Sequence, residues 1–461
     1  MDLLEQIRLA TAGHIDVHSG PVLVGVSGGA DSIALLLALK ELGFDVEALH
    51  CNFELRGVES DRDETFVRKV CREHAIAITV KHFRTKAEAQ RQGVSIEMAA
   101  RQLRYDWFGR MARLRKAQGV CVAHHRDDNA ETLLLNLVRG TGIRGLCGMK
   151  AVSTINTAPV SAFTVPGGSP VQVSVPLLRP LLTISRADIE AWLTERGQTW
   201  VTDSTNLQAD AAMRNKIRLE VLPLLRELNP RISETLSETG QRMTEATVLY
   251  DYALADQRRG VERAMGVDIR ALRQTIAPRT VLYEILKDRG FTAEQADDIF
   301  EHLEGEPGHE WQSGEWRLLR DRGQLLWQRR DDRAEVTPAV LPLEGLAEVS
   351  KDVRLLIRRQ AVYPGFDIPK NPQTACFDLE KLTLPLTIRL VQEGDRLQPF
   401  GMEGTRLVSD LLTDLKASVF EKEKQLVVLS GDHIAWVVGR RAAAGFEVDE
   451  QTRFTMTITL L

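Results

Sequence analysis

Six residues, Ser27-Gly28-Gly29-Ala30-Asp31-Ser32, constrain this chain more than any other stretch. They follow a short β-branched run, Val22 to Val26, and precede the apolar stretch Ile33 to Leu42. A strand, a glycine-rich turn and a helix N-terminus in that order aim backbone N–H groups and hydroxyls at one point, which suits phosphate or pyrophosphate. Two glycines let the backbone approach an anion with no Cβ in the way. Asp31 would repel a bare phosphate, but a divalent cation bridging its carboxylate to phosphates gives it a purpose. An isolated S-G-G would read as a capped turn. The loop lacks the G-K-[ST] ending of a Walker loop and is not G-x-G-x-x-G.

Gly43 closes the helix, and Val46 to Leu49 supplies a second strand, completing a βαβ unit. The alternation continues with helix Asp61–His74, strand Ala75–Val80, helix Ser95–Lys116, strand Val120–Ala123 and helix Asp128–Val138. This order predicts an α/β fold around a doubly wound parallel sheet. Residues 153–175 carry no charge and read equally as a hairpin or a loop. A strand-like run at Leu177–Pro180 follows, then a helix from the cap Ser185 to Arg196, stopped by Gly197. From about Leu222 the pattern turns helical, with a hairpin suggested by Trp311, Trp316 and Trp327 near Gly314 and Gly323. Residues 334–384 hold prolines and short strand-like pieces. The end reads strand, helix, strand, strand: Thr387–Val391, Val408–Leu415, Gln425–Leu429 and Ile434–Val438. The expected organisation is a catalytic domain over 1–220, a mostly helical middle domain over 221–345 and a small α+β domain over 346–461.

A second chemical signal is His124-His125-Arg126-Asp127-Asp128-Asn129-Ala130-Glu131-Thr132, after the strand Val120–Ala123. Strand C-termini line the ligand crevice of such a sheet, so both signals share one edge. Asp128 and Glu131 are three apart at a helix start and lie on one face. Paired there, they can hold Mg²⁺ or an ammonium group; the plainer alternative is acids complementing the helix dipole. Asp203-Ser204-Thr205-Asn206 and Arg214-Asn215-Lys216-Ile217-Arg218 add polar clusters whose arginines suit phosphate.

Charge matters locally. The 461-residue chain is 43% hydrophobic and 27% charged, with a formal charge of −5, which excludes a disordered or globally basic protein. Between Arg56 and Lys116, however, 15 basic residues face 8 acidic ones. Arg101, Arg104, Arg110, Arg113, Arg115 and Lys116 lie on one predicted helix whose Leu103, Trp107, Met111 and Leu114 recur at core spacing. The basic residues are then expected outside, as a nucleic-acid-binding face requires, though a solvated helix face looks the same. No apolar run reaches the roughly 18 residues of a membrane helix, and no secretory pattern opens the chain. Cys51, Cys71, Cys121, Cys147 and Cys376 are dispersed, with no C-x-x-C, which fits a reducing cytoplasmic setting.

Together these stretches resemble the tRNA(Ile)-lysidine synthetases, within the PP-loop ATP pyrophosphatase family. Further matching segments are His50-Cys51-Asn52-Phe53, Leu55-Arg56-Gly57, Ser95 to Arg101 with Arg104-Tyr105, and Arg139-Gly140-Thr141-Gly142 with Gly145-Leu146. Near the end they are Gly394-Asp395-Arg396, Pro399-Phe400-Gly401 and Trp436 to Arg440. The resemblance covers about 20–225 and the last 75 residues or so. It implies that ATP adenylates the C2 oxygen of the wobble cytidine in the CAU anticodon of an isoleucine tRNA, releasing pyrophosphate. Free L-lysine then displaces AMP to give lysidine.

The resemblance further implies that Ser27, Gly28, Gly29, Ala30, Asp31 and Ser32 hold ATP, with Asp31 and Asp128 as Mg²⁺ ligands. His124, Asp128 and Glu131 would line the catalytic pocket, the carboxylates near the lysine ammonium. Glu97, Arg101, Arg104, Asn206 and Arg214 would face the cytidine or the phosphates, Arg214 within the catalytic set. The later domains would select the tRNA, and a homodimer is admitted as a partner. Two departures stand out: an apolar 153–175 segment, and Glu421-Lys422-Glu423-Lys424 where an arginine is expected. A 2-thiolating PP-loop enzyme would want paired cysteines. A non-catalytic RNA binder would have lost the carboxylates, and a small-molecule synthetase would not need the basic helix.

Overall fold

The computed structural model describes residues 2–156, 174–201, 209–332, 336–363, 365–402 and 404–461. It divides into two compact units, Met1–Asp251 and Tyr252–Leu461. The first is built on β1 (Val22–Gly25), β2 (Val46–Asn52), β3 (Ala77–His82), β4 (Gly119–Cys121), β5 (Val152–Asn156) and β6 (Ser174–Leu178), in the spatial order β3-β2-β1-β4-β6-β5. Every neighbouring pair is parallel except β5 with β6. The order runs outward both ways from β1, so the C-terminal ends of β1 and β4 form a switch point, where such sheets bind ligands.

Covering both faces of the sheet requires unbroken apolar strands. Val22 and Val24 enter one core while Leu23 enters the other, and Cys121 and Val120 divide in the same way. The helices are α1 (Leu3–Thr11), α2 (Ala30–Glu41), α3 (Val58–Glu73), α4 (Thr85–Gln92), α5 (Ile96–Arg115), α6 (Arg126–Arg139) and α7 (Arg186–Glu195). Every residue of α2 from Ser32 to Leu39 is buried, which explains its lack of a polar stripe. Ser185 caps α7 through its hydroxyl, as the sequence implied, and Ser95 caps α5 in the same way.

The basic helix needs correction. Trp107 and Met111 are buried, but Leu114 is 71% exposed. A 3.6-residue period carries the buried face onto Phe108 and Ala112 instead. Nor are the cations one uniform face. Arg115 pairs with Glu47 at 2.8 Å, Arg101 lies over the Tyr105 ring and Arg104 over Phe53.

After α7 come α8 (Ala209–Lys216), a π-helical turn Ile217–Val221, α9 (Leu222–Leu228) and α10 (Ile232–Val261). Ile217 and Leu222 dock this stretch onto Ala130 of α6. Asp203, Ser204, Thr205 and Asn206 lie outside the described residues, as do 157–173. The described ends of the 153–175 segment pair as antiparallel strands.

In the second unit, Glu262–Arg263, Gly266–Asp268, Gln324–Arg329, Trp316–Asp321 and Glu310–Gln312 form an antiparallel sheet in that spatial order. Its tryptophan-rich hairpin matches the expectation, and the sheet adds strands to a region whose sequence reads as helical. The remaining described chain makes a two-stranded ribbon, Arg396–Leu397 with Arg406–Leu407, and two larger antiparallel sheets around a shared core that includes Ile357, Phe377, Ile388, Trp436 and Ile458. The last strand, Phe454–Leu460, pairs with Val353–Ala361 and Thr374–Asp378. The proline-bearing stretch 334–384 thus contributes strands through partners far along the chain.

Candidate active site

The loop between β1 and α2 is organised by Ser32. Its Oγ accepts from the backbone N–H of Ser27 (3.1 Å) and Gly28 (3.2 Å) and donates to the Gly29 carbonyl (3.0 Å). Gly28 sits at φ +103°, where a side chain is strained, and a Cβ there would also meet Val67 and Val201. The loop opens α2 at the switch point, with Asp31 in the first turn.

Two cavities flank it. One, of about 200 Å³, is lined by Ser27, Asp31, Ser32, Tyr105, Phe108 and His124; the other, of about 260 Å³, by Gly29, His50, Asn52, Arg56 and Asp63. Ser27, Cys51, Phe53 and Arg104 line both. Apolar walls beside a polar loop suit a nucleotide: ring on one side, phosphates on the other. Arg104 thus lies between the two cavities. Glu97 is exposed on the first turn of α5, and neither it nor Arg101 lines these cavities.

At the end of β4 the chain gathers its titratable groups. His125 Nε2 lies 3.4 Å from Asp128 Oδ2 and 3.8 Å from Asp31 Oδ1, so one imidazole joins the two carboxylates. The Asp128 carboxylate also accepts from the His125 backbone N–H at 3.2 Å. Glu131 is nearly sealed, its side chain 2% exposed, and both oxygens are taken. Arg214 Nε donates to it at 2.9 Å, Arg218 Nε at 2.5 Å and Arg218 Nη2 at 3.0 Å. Arg218 Nη2 reaches Asp128 Oδ1 at 3.4 Å. The sequence singled out Arg214; it missed His125 and Arg218 as site residues. Their signals were present: a neighbour in the His-His pair, and an arginine four residues on, hence on the same helix face.

Burial sets the protonation states. It pushes the Asp31 carboxyl upward, opposed by His125 and Arg186 and reinforced by Asp128. It lowers His124 to about 4 despite the pull of Asp128, so the imidazole is neutral at neutral pH. Asp31 Oδ1, His124 Nδ1, His125 Nδ1 and Arg126 Nε are buried without a hydrogen-bond partner among the described residues. Such orphaned atoms are costly and are expected where a ligand completes them. Beyond the cluster, a cavity of about 510 Å³ is lined by His125, Asp127, Glu131, Arg186, Arg218 and Arg226, among others.

The cysteines do not support sulfur transfer. All five are free thiols, and burial pushes Cys51, which faces the nucleotide cavities, up to about 12. Among the described residues no group of three or more His, Cys, Asp or Glu is arranged to hold a metal, and no helix is long and apolar enough to cross a membrane.

Comparison with known proteins agrees along the chain. Residues 5–225 match the PP-loop domain, 261–330 the TilS substrate binding domain and 386–456 the TilS substrate C-terminal domain. A tRNA(Ile)-lysidine synthase from Parabacteroides distasonis is 43% identical over 443 residues, 96% of this chain and 95% of that protein. The one from Bacteroides thetaiotaomicron is 40% identical, covering 97% of each. That from Geobacter sulfurreducens is 31% identical over 98% of this chain and 95% of its own.

Proposed function

The chain belongs to the tRNA(Ile)-lysidine synthase family, and from that premise we propose how its residues divide the work. The enzyme uses ATP to ligate lysine to the wobble cytidine of an isoleucine tRNA. A carbonyl oxygen is a poor leaving group; adenylated at C2–O, it departs as AMP. The reading rests on one observation above all: buried, unpartnered polar atoms of Asp31, His124 and His125 surround arginine-held carboxylates at the sheet's switch point.

The backbone N–H groups of residues 27–29 and the start of α2 receive the ATP phosphates, and the flanking cavities take the nucleoside and the cytidine. Arg104 reaches both. Mg²⁺ fits the donor set: the orphaned Asp31 oxygen and Asp128 would hold it. When bound, it supplies charge neutralisation for the departing pyrophosphate. His124, neutral, hydrogen-bonds the cytidine. Glu131 is saturated by two guanidinium groups, so its work is to fix Arg214 and Arg218. Asp128 keeps capacity for the lysine ammonium, and the arginine-rich 510 Å³ cavity receives the amino acid's carboxylate. Alignment of amine and C2 supplies much of the rate.

Glu97, Arg101 and Asn206 remain assigned to tRNA or phosphate contact. The proposal keeps 1–220 as the catalytic domain and gives 221–345 and 346–461 the grip on tRNA, in a cytoplasmic enzyme with a homodimer as its assembly. The test is incubation with ATP, Mg²⁺, labelled lysine and the CAU-anticodon isoleucine tRNA, with a methionine tRNA as control. Label entering the isoleucine tRNA alone, and only with ATP, is expected. Cleavage of ATP to AMP and pyrophosphate with label in neither tRNA would discard the lysine assignment.

A further inference from the structure

Two sequence motifs in the C-terminal region have no part in the chemistry above: Pro399-Phe400-Gly401 and Trp436 to Arg440. The fold brings them to one place. Pro399 bridges to Ala443 and the Phe400 N–H donates to the Ala442 carbonyl, so the 399–401 turn lies over the end of the Trp436 hairpin. Between them opens a cavity of about 390 Å³. Its wall is aromatic: Trp436 and Phe377 are buried, Phe446 packs edge-on to Phe377, and Phe400 is 57% exposed. Its rim is cationic. Lys370 and Arg441 are exposed and have no ion-pair partner among the described residues, while Arg440 is held by Glu421 at 3.1 Å. Among the described residues Glu447 is the one acid lining it, and its Oε2 accepts from the Gly445 N–H at 2.9 Å.

An exposed ring is costly to keep in water, and uncompensated cations beside it select a partner with both a flat face and negative charge. Protein partners supply the two separately; an unpaired nucleotide carries them in one residue, base for the ring and phosphate for the rim. We propose that this cavity binds an unpaired nucleotide of the tRNA substrate, its base stacked on Phe400 and its phosphate between Lys370 and Arg441. The inference rests on the reading that the substrate is tRNA. It adds a contact that takes single-stranded RNA and belongs to the second unit, not to the one that carries the chemistry.

The full-length enzyme tests it through lysidine formation. Phe400→Ala should raise the KM for tRNA about tenfold or more, the range of a base–aromatic stack, with kcat and the KM for ATP unchanged. Phe400→Trp should restore it, whereas Phe400→Leu, apolar but not flat, should not. Because Phe400 is exposed, the melting temperature should not move. Lys370→Glu with Arg441→Glu should weaken tRNA binding and flatten its salt dependence. A short single-stranded oligoribonucleotide should compete with tRNA for the wild type and lose that ability in Phe400→Ala, while a duplex of the same length should compete with neither. A KM for tRNA within twofold of wild type in Phe400→Ala, or equal competition by the duplex, overturns the proposal. Failure of the wild type itself to modify the CAU tRNA would instead overturn the functional reading.

Discussion

Around Glu131 in the first unit and around Arg317 in the second, guanidinium groups meet two carboxylates through short, multiple hydrogen bonds. Arg317 is 4% exposed and makes four bonds of 2.7–2.8 Å, two to Glu310 and two to Glu423, with its guanidinium over the Phe420 ring. Those bonds push its pKa up. Every N–H group it uses is paired with a carboxylate, and its one orphaned neighbour among the described residues is a neutral amide oxygen, Gln328 Oε1, beside a cavity of about 790 Å³. The Glu131 cluster is equally well paired at its centre, yet it borders orphaned atoms of Asp31, His124 and His125 and opens onto cavities. The difference teaches how to tell a staple from a site. Around Arg317 the orphan is a single neutral amide oxygen; around Glu131 the orphans are titratable groups gathered at the sheet's switch point, and that is what marks a place for a reactant.

The largest effect should come from the open cluster. Asp128→Asn should cut lysidine formation by about a thousandfold or more while leaving the melting temperature within a few degrees; normal turnover would remove Asp128 from the mechanism. Glu131→Gln frees two arginines and should cost about a hundredfold in activity together with measurable stability. A calorimetric scan matching wild type would show that Glu131 does not fix those arginines.

The closed network should respond the other way. Arg317→Met should cost about 2–3 kcal/mol, below the range for fully buried pairs, because Glu310 and Glu423 keep contact with water. kcat at permissive temperature should stay the same, and urea titration measures the loss. Replacing Arg317, Glu310 and Glu423 together by apolar residues should return most of that stability. The same exchange at Glu131, Arg214 and Arg218 should fold and be inactive. Equal loss of activity in both triples would erase the distinction.

The smallest effect concerns pH. Burial works against charge on Asp395, but the Arg389 guanidinium and the Gln392 N–H hold its carboxyl below the usual range. Its contribution is therefore complete above the ordinary carboxylate pKa and is lost as pH falls through the depressed folded value. Asp395→Asn should cost about 1 kcal/mol at neutral pH, with the gap to wild type closing in acid. A gap independent of pH would assign the cost to packing.

Local chemistry was legible in advance where it repeats along the chain. The β1–α2 loop, the capped start of α7, and the alternation that makes a parallel sheet follow from periodicity and from residues with special backbone or capping behaviour. What failed did so for want of partners. Leu114 keeps the spacing of a core residue but faces water, since the sheet meets α5 along Trp107, Phe108, Met111 and Ala112. Glu421 and Glu423 stand where an RNA-facing arginine was expected. Glu421 caps its own helix through Ser418 and pairs with Arg440, while Glu423 holds Arg317. The strand-like pieces of 334–384 could not be given their pairing, because Val353–Ala361 and Thr374–Asp378 take the last strand of the chain as partner.

The sequence by itself determined that a glycine-rich loop joins the first strand to a helix, that carboxylates and arginines accompany it, and that an α/β sheet carries them, because each depends on neighbours a few residues apart. Only the tertiary structure decided which charges are spent on one another and which are left over. Glu131, Arg214 and Arg218 meet across more than eighty residues, and the low dielectric that shifts Asp31 and His124 exists only once the sheet and helices close around them.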